Sequence, residues 1–225
     1  MTYIIAVANE KGGVAKTTTT LSLGAALSES GAKVLMIDLD TQANLSLASG
    51  LELGKSERSI SRVLLDNQPL SSVIQPTAYP DLWLVPSSSE MGMAERFLPG
   101  HQLYERILSK AIQETPEEYQ YILLDCPPFL GAVTTNALVA SDLLLIPTQA
   151  EFFSVYALKN IMAMVKRIRN QANPRLTYRL LLTMVDRRNK IHRILSEQLR
   201  NNFGTGVLES VIETDTKLRE CIING

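Results

Sequence analysis

Cysteine, histidine and aromatic residues are scarce in this 225-residue chain: it has two cysteines, two histidines and 6% aromatic residues. Cys126 and Cys221 have neither the spacing of a metal site nor the framework of a disulfide-stabilised domain, and a reducing cytoplasm is their simplest location. His101 and His192 form no catalytic constellation with their neighbours in the sequence. The composition therefore offers no cysteine- or histidine-based chemistry.

An excess of charge and long hydrophobic runs are also missing. The 22 basic and 23 acidic residues give a net charge of −1, which argues against a constitutive nucleic-acid-binding domain but permits a local basic patch. The apolar start, Met1–Ala8, is too short to span a bilayer and lacks the features of a signal peptide. Without repeats, low-complexity tracts or a long linker, residues 1–225 are predicted to form a single domain.

Apolar runs of strand length alternate along the chain with segments of helical periodicity. Runs that are apolar on both faces are typical of parallel strands covered by helices. The pattern predicts an α/β fold, a doubly wound and mostly parallel sheet flanked by helices. The predicted strands are Tyr3–Ala8, Lys33–Asp38, Asp81–Val85, Tyr121–Asp125, Asp142–Ile146, Leu180–Val185 and Val207–Ile212, and the predicted helices are Lys16–Ser30, Leu103–Gln113, Ala157–Arg169 and Asn189–Phe203.

A glycine-rich segment, KGGVAKTT, follows the first predicted strand and opens the first predicted helix, which is the context of a phosphate-binding loop. Its glycines allow backbone N–H groups to point at phosphate oxygens, and the helix N-terminus adds its own. The lysine before the threonines would reach the β- and γ-phosphates, and the next hydroxyl would bind Mg²⁺. The loop is therefore predicted to bind a nucleoside triphosphate with Mg²⁺ through Gly12, Gly13, Val14, Ala15, Lys16, Thr17 and Thr18, and the family resemblance described below implies that the nucleotide is ATP.

Acidic residues end two further predicted strands. Asp38 and Asp40 follow the second strand, and Asp125 ends the fourth, at the edge of the sheet where ligands bind in such folds. A carboxylate there can orient a water molecule or organise the ligands of a metal ion. Either aspartate of the first pair taken alone is also compatible with a simple turn or helix cap. The pattern predicts a magnesium site formed by Thr17, Asp40 and Asp125.

These motifs resemble those of the ParA/MinD family of deviant Walker A ATPases, and the resemblance extends over nearly the whole chain. The segment beginning at Lys11 matches the family pattern KGGxxKT[ST], DLDTQ is similar to DxDPQ with Thr41 in place of proline, and YILLDCPP is similar to the Walker B strand. The resemblance is closest to the ParA-like (Soj-like) partition and positioning branch, which includes carboxysome-positioning relatives.

The resemblance implies roles for individual residues. Lys11 would contact the partner's nucleotide across an ATP-dependent homodimer, and Asp40 would position or activate water with Asp38 in support. Lys11, Lys16 and Asp40 are thus the expected catalytic residues. The strand end containing Thr183 and Met184 would bracket the adenine, beside Glu213-Thr214, which stand where the family usually has Pro-Arg.

A DNA-binding ATPase that positions cargo is the function that the resemblance implies. The ATP-bound dimer would bind nucleoid DNA without sequence preference and place a plasmid, a chromosome origin or a protein body such as a carboxysome. A ParB-like or other cargo adaptor would stimulate hydrolysis. The expected location is cytoplasmic and nucleoid-associated, with no membrane partner, because Cys221–Gly225 is too short for an amphipathic membrane helix.

The predicted helix Asn189–Phe203 carries the candidate DNA surface. Its apolar positions Ile191, Ile194, Leu195 and Leu199 are expected to face inward, opposite the basic positions. Phosphate contacts require such charges but no base readout, although an ordinary solvated surface that includes Glu197 is the alternative. The candidate DNA contacts are Arg187, Arg188, Lys190, Arg193, Arg200, Lys217 and Arg219.

Two alternative functions remain open from the sequence. A reductase similar to nitrogenase iron protein would need paired cysteines from each subunit to hold an iron–sulfur cluster, whereas Cys126 adjoins the Walker B acid and is better explained by buried packing. A MinD-like membrane-associated ATPase would need an amphipathic C-terminal helix.

Overall fold

The computed structural model describes residues 2–51, 58–151 and 154–215, with side chains from residue 158 onward in the last range. Within them, eight strands form one sheet in the order β3-β4-β2-β5-β1-β6-β7-β8. All neighbouring strands are parallel except β3 and β4, which confirms the predicted doubly wound α/β fold. The strands are β1 Tyr3–Val7, β2 Val34–Asp38, β3 Gln75–Pro76, β4 Leu82–Val85, β5 Tyr121–Asp125, β6 Leu143–Gln149, β7 Thr177–Val185 and β8 Val207–Glu213.

Helices cover both faces of the sheet and create two apolar layers. In β2, Leu35 and Ile37 belong to the larger layer, whereas Val34 and Met36 belong to the smaller one, because successive side chains of a strand point to opposite faces. Within the described ranges, no helix is long and apolar enough to cross a bilayer. The helices are α1 Lys16–Glu29, α2 Asn44–Ala48, α3 Ile60–Asp66, α4 Met91–Phe97, α5 Ile107–Gln113, α6 Ala132–Ala140, α7 Ser154–Gln171 and α8 Lys190–Phe203.

The predicted boundaries differ from the structure mainly in the short elements. The helix predicted over Leu103–Gln113 begins only at Ile107, because Leu103 adopts a left-handed conformation (φ 56°) and residues Tyr104–Arg106 form a 3₁₀ turn. Helices α2, α3, α4 and α6 and the antiparallel β3 were not predicted from the sequence. These helices have five to nine residues and the strand has two, which is too short for a clear periodic pattern.

The prediction that the apolar residues of α8 all face inward was wrong for two of them. Leu199 is 3% exposed, but Ile191 is 63% and Ile194 is 44% exposed. The reason is that α8 joins the core through Leu199 and Phe203 in its last turns, whereas its first turns belong to neither apolar layer among the described residues. Periodicity identified an amphipathic helix but not how much of it would be covered.

We expect Leu35→Ala to lower the free energy of unfolding by about 2–5 kcal/mol, because Leu35 is fully buried in a central strand and its removal leaves a cavity. The same substitution at Leu47 of α2, which is 50% exposed, serves as the control and should change it by less than about 1 kcal/mol. Urea unfolding followed by circular dichroism measures both. Equal losses in the two variants would contradict the layered core described above.

Candidate functional site

The loop between β1 and α1 forms an open cradle. Gly13 (φ 71°) and Ala15 (φ 67°) take left-handed conformations that turn the chain sharply before Lys16 begins the helix. Ala15 provides no side-chain cap, so the first N–H groups of α1 remain available to an external acceptor. A Cβ atom built on Gly12 or Gly13 would meet no heavy atom within 4 Å. This geometry fits a bound phosphate chain.

Asn9 fixes the beginning of this loop to the sheet. Its buried side chain donates from Nδ2 to the carbonyl of Pro147 in β6 (2.7 Å) and accepts at Oδ1 from the backbone N–H of Lys11 (3.0 Å). Asn9 was not predicted as a site residue, although an asparagine between a strand and a glycine-rich turn is a known signal for this kind of side-chain-to-backbone hydrogen bond.

Two side chains from β6 and β7 fix the middle of the loop. The hydroxyl of Thr183 donates to the carbonyl of Val14 (3.1 Å), and Nε2 of Gln149 donates to the carbonyl of Gly13 (3.2 Å). Thr183 is completely buried, so the structure places this predicted adenine contact beneath the loop. The contact of Gln149 with this loop was not predicted from the sequence, because only the parallel packing of β6 beside β1 brings the residue there.

Lys16 lies at the base of the cradle and is largely buried. Its Nζ donates to the carbonyl of Lys11 (3.2 Å). Burial lowers the pKa of Lys16, and the negative charges of Asp125 and Asp40 partly oppose that effect. A second anion, such as a phosphate, would further stabilise the charged ammonium at this position.

Asp125 connects the sheet to the first turn of α1. It lies opposite Asp38 in the register of β5 and β2, and it accepts hydrogen bonds from the hydroxyls of Thr17 (2.7 Å) and Thr20 (3.3 Å). Complete burial, with a smaller contribution from Asp38, raises the pKa of Asp125 to about 8. Thr17 and Asp125, both predicted as part of the magnesium site, are thus hydrogen-bonded to each other, and Thr20 is an additional partner of Asp125.

Asp38 supports the loop after β2. Its Oδ2 accepts from the backbone N–H and the hydroxyl of Ser46 (2.9 and 2.7 Å), and its Oδ1 accepts from the N–H of Asp40 (3.1 Å). Burial raises the pKa of Asp38 to about 6, while the bonds from Ser46 act in the opposite direction. Asp40 itself is at the edge of burial, where its Oδ1 accepts from the N–H of Gln42 (3.0 Å).

The described residues contain no group of three or more His, Cys, Asp or Glu side chains arranged to hold a metal ion alone. Thr17 and Asp125 are hydrogen-bonded to each other, and Asp40 lies close enough to Lys16 to raise the pKa of that lysine. This set suits a magnesium ion that takes most of its ligands from water and from a nucleotide's phosphates.

Lys11 is held by its own chain in this structure. Its Nζ donates to Oε1 of Gln149 (2.9 Å) and forms an ion pair with Glu151 just beyond the end of β6. The predicted contact with a partner's nucleotide would require Lys11 to leave these two acceptors. Phe152, the residue after Glu151, lies outside the described residues.

An apolar cavity of about 450 Å³ lies beside the loop. It brings together the start of α1 and the ends of β7 and β8, including Met184, which was predicted as an adenine contact, and Glu213 and Thr214. Its size and apolar lining are suited to a flat heterocycle. The residues that line it are Ala15, Thr18, Thr19, Ser22, Leu23, Leu145, Leu181, Met184, Leu208, Ile212, Glu213, Thr214 and Asp215.

The candidate DNA contacts have different surroundings. Arg187 forms an ion pair with Glu213 (2.7 Å), and Arg188 forms one with Asp186 (3.1 Å). Both pairs lie at the surface. Arg200 donates to the carbonyls of Leu208 and Glu209, so it joins α8 to β8 instead of sharing an outer face with the other two basic residues of the helix. Lys190 and Arg193 are exposed and form no ion pair within the described part of the chain, while Lys217 and Arg219 lie outside it.

Cys126, at the start of the loop after β5, is buried as predicted. Its thiol pKa is raised by burial and by the neighbouring carboxylate of Asp125. Such a thiol is a poor nucleophile, and a side chain enclosed in the core is poorly placed to share a cluster with a second subunit. Cys221 lies outside the described residues.

Comparison with known proteins identifies the family. A family model described as an AAA domain matches residues 2–178. The chromosome partitioning protein ParA of Caulobacter vibrioides is 36% identical over 222 residues, which cover 96% of this chain and 82% of that protein. The chain belongs to the ParA/Soj family of P-loop ATPases. The sporulation initiation inhibitor protein Soj of Bacillus subtilis is 34% identical over 226 residues, covering 100% of this chain and 89% of Soj.

The fold of this family member is also shared with solved structures. The crystal structure of cobyrinic acid a,c-diamide synthase from Mycobacterium smegmatis with bound ADP and magnesium has a TM-score of 0.90 and 31% identity. The match covers 100% of this chain and 92% of that one. The matches to ParA and Soj, which cover 96% and 100% of this chain, confirm the resemblance to the ParA/MinD ATPases.

We expect Asp125→Asn to make the nucleotide-free protein less sensitive to pH. Because the pKa of Asp125 is raised in the folded state, the folded protein holds a proton that the unfolded chain has lost between about pH 4 and pH 8. The free energy of unfolding must then fall as pH rises through this window, by up to about 1.4 kcal/mol per pH unit for one proton. The asparagine has no such proton, so the decline should become shallower.

Urea unfolding at several values between pH 5 and pH 8, without magnesium or nucleotide, measures this effect. Asp66→Asn is the matched control, because Asp66 is exposed at the end of α3 and forms a surface ion pair with Arg62. The same pH slope in the Asp125→Asn variant and the wild type would contradict the proposed protonation.

Proposed function

We propose that this protein binds and hydrolyses ATP with Mg²⁺, and that it uses this cycle as a ParA-type positioning ATPase. The observation that carries the ATPase assignment is the buried Lys16 at the base of an open, left-handed loop, next to the Thr17–Asp125 hydrogen bond. Full-length similarity to a chromosome-partitioning ParA supports the positioning role.

The phosphate chain would lie over Gly12 and Gly13, bound by the first N–H groups of α1 and by the ammonium of Lys16. When bound, Mg²⁺ neutralises phosphate charge and orients the phosphate oxygens. Thr17 would turn its hydroxyl oxygen to the metal while Asp125 keeps its hydrogen bond. The apolar cavity lined by Met184 would receive the adenine.

Asp40 is the residue that we assign to the attacking water. It follows β2 at the carboxyl edge of the sheet, its Oδ1 is engaged by the N–H of Gln42, and Oδ2 has no partner among the described residues. Asp38 holds this loop in place through Ser46, so its role is positioning. Oδ2 of Asp40 would accept a hydrogen bond from the water and orient it toward the terminal phosphate.

ATP would close two subunits into a sandwich in which Lys11 contacts the nucleotide of the opposite subunit. In the single chain, Gln149 and Glu151 bind this lysine. Dimer formation would therefore exchange an ion pair within one chain for contacts with phosphate oxygens, which carry more negative charge. Such an exchange makes the dimer dependent on ATP.

The dimer would bind nucleoid DNA without sequence preference through the first turn of α8, where Lys190 and Arg193 are exposed. Because the chain has no net positive charge, one such patch would bind DNA weakly. Binding would therefore require the dimer, which carries two copies of the patch. A ParB-like or other adaptor, bound to the cargo, would stimulate hydrolysis and release the dimer. The protein would then act in the cytoplasm on the nucleoid surface.

We expect an electrophoretic mobility shift on nonspecific DNA with ATP, but none with ADP or without nucleotide. Lys16→Ala should abolish the shift, because the variant loses the ammonium that binds the phosphates. Lys33→Ala, which removes an exposed lysine near the opposite end of the sheet, should behave like the wild type. A shift of equal strength without ATP would contradict nucleotide-gated binding.

The location of the DNA surface can be tested in the same assay by changing Lys190 and Arg193 together to alanine. Loss of two phosphate contacts per subunit should reduce the slope of the logarithm of the binding constant against the logarithm of salt concentration by about two per subunit. The charge-matched control is Lys33→Ala with Arg175→Ala, both exposed near the amino ends of strands. Equal weakening by both pairs would indicate a general charge effect and not a site on α8.

We expect Asp40→Ala to lower kcat for ATP by about 100-fold, because the oriented water is lost, while the affinity for ATP stays within a few-fold of the wild type. The ATP-bound dimer should accumulate, which size-exclusion chromatography with light scattering measures. Asp66→Ala is the control for removal of an exposed carboxylate. Normal turnover in the Asp40→Ala variant would remove Asp40 from this role.

A further inference from the structure

A carboxyl group from α4 seals the beginning of α6, directly after the loop that follows the Walker B strand. Oε1 of Glu95 accepts a hydrogen bond from the N–H of Ala132 (2.5 Å), and Oε2 accepts from the N–H of Val133 (3.0 Å). The first N–H groups of a helix have no partner inside the helix, and a carboxylate there also interacts favourably with the helix dipole. Glu95 therefore acts as an N-terminal cap supplied from a distant part of the chain.

Gly131 leaves the space that this contact requires. A Cβ atom at this position would lie 1.5 Å from Oε1 of Glu95 and 2.4 Å from Cε1 of Phe129. The φ of Gly131 is −104°, so the glycine is not required by a left-handed conformation. The close approach of the Glu95 carboxyl group and of the Phe129 ring leaves no room for a side chain.

The segment from Asp125 to Gly131 is consequently held at both ends. At its start, Asp125 accepts a hydrogen bond from the hydroxyl of Thr17 in the first turn of α1. At its end, Glu95 binds the two amides that follow Gly131. Between these points the chain is Cys126-Pro-Pro-Phe-Leu130, in which the side chain of Phe129 is 58% exposed.

Helix α4 is itself firmly placed, and it also adjoins the loop after β2. Met91 and Ala94 are buried, and Glu90 forms an ion pair with Arg62 of α3 (3.6 Å). A Cβ atom on Gly92 would lie 4.0 Å from Cγ2 of Thr41, the residue after Asp40. A single short helix thus adjoins both acidic loops of the site.

We propose that Glu95 is a positioning residue for ATP hydrolysis: it fixes the loop after β5 in the conformation that hydrolysis requires, without contributing to ATP binding. This inference rests on the hydrolytic part of the proposed function. The loop lies between the acid bonded to Thr17 and the capped start of α6, so a loop released at its far end would let residues Cys126–Leu130 shift relative to the phosphate loop and Asp40. A misplacement of about 1 Å in groups that position the reactants can reduce the rate about 100-fold.

The first test measures the cap without nucleotide. Hydrogen–deuterium exchange should show the amides of Ala132 and Val133 exchanging about tenfold faster or more in Glu95→Ala than in the wild type. Glu95→Gln, which retains one acceptor oxygen but loses the charge, should lie between them. Glu114→Ala, which removes an exposed glutamate that pairs with Lys110 on α5, is the control and should not change this exchange.

The second test measures catalysis. Glu95→Ala should lower kcat by about tenfold or more while KM for ATP changes by less than about threefold, and Glu95→Gln should restore part of the loss. Gly131→Ala should lower kcat at least as much as Glu95→Ala, because its methyl group would displace the carboxyl group and would also meet the ring of Phe129. The double variant Glu95→Ala with Gly131→Ala should be no slower than the slower single variant, because both changes break the same contact.

Three results would overturn the inference. Unchanged exchange at the start of α6 in Glu95→Ala would remove the cap, and a kcat within twofold of the wild type would remove its link to hydrolysis. A parallel loss of kcat, ATP affinity and thermal stability would leave Glu95 only a structural role. A wild-type protein that binds but does not hydrolyse ATP would instead refute the proposed function. The exchange experiment distinguishes the two cases, because it measures the cap without nucleotide.

Discussion

The buried carboxyl group of Asp125 is the point on which the site depends. It ends the central strand β5 and lies beside Asp38 of the neighbouring strand β2. It accepts hydrogen bonds from the hydroxyls of Thr17 and Thr20 of α1. Burial of two acids so close together opposes folding, as their raised pKa values indicate. The same placement puts both carboxyl groups beside Lys16 and the phosphate loop, where the Mg²⁺ of the proposed nucleotide complex would favour their ionised form.

The loops around this acid are held by side chains from elements that lie elsewhere in the sequence. Asn9 and Thr183 attach the phosphate loop to its neighbours, and Ser46 ties Asp38 to α2. Glu95 closes the far end of the loop after β5. A site built in this way responds as a unit, because displacement of one loop removes a hydrogen bond from another.

The charged residues at the surface are committed to contacts within the chain to different degrees. Lys11 is bound by Gln149 and Glu151, and Arg200 by the backbone of β8. Lys190 and Arg193, by contrast, extend from the first turn of α8. A residue that already has partners must lose them to bind a new one, so the two exposed side chains are better suited to nonspecific contacts with phosphate groups.

The sequence by itself determined the α/β class, the phosphate loop and the acids at the strand ends, because each rests on local order: a strand, a turn and a helix, or an apolar run that ends in Asp125. Tertiary structure decided the partners. Gln149 lies 136 residues from Gly13, and Glu95 lies 37 residues from Ala132, so only the packing of the sheet and helices brings them together. The exposure of Ile191 has the same cause, since periodicity marks an apolar face but only packing decides whether it is covered.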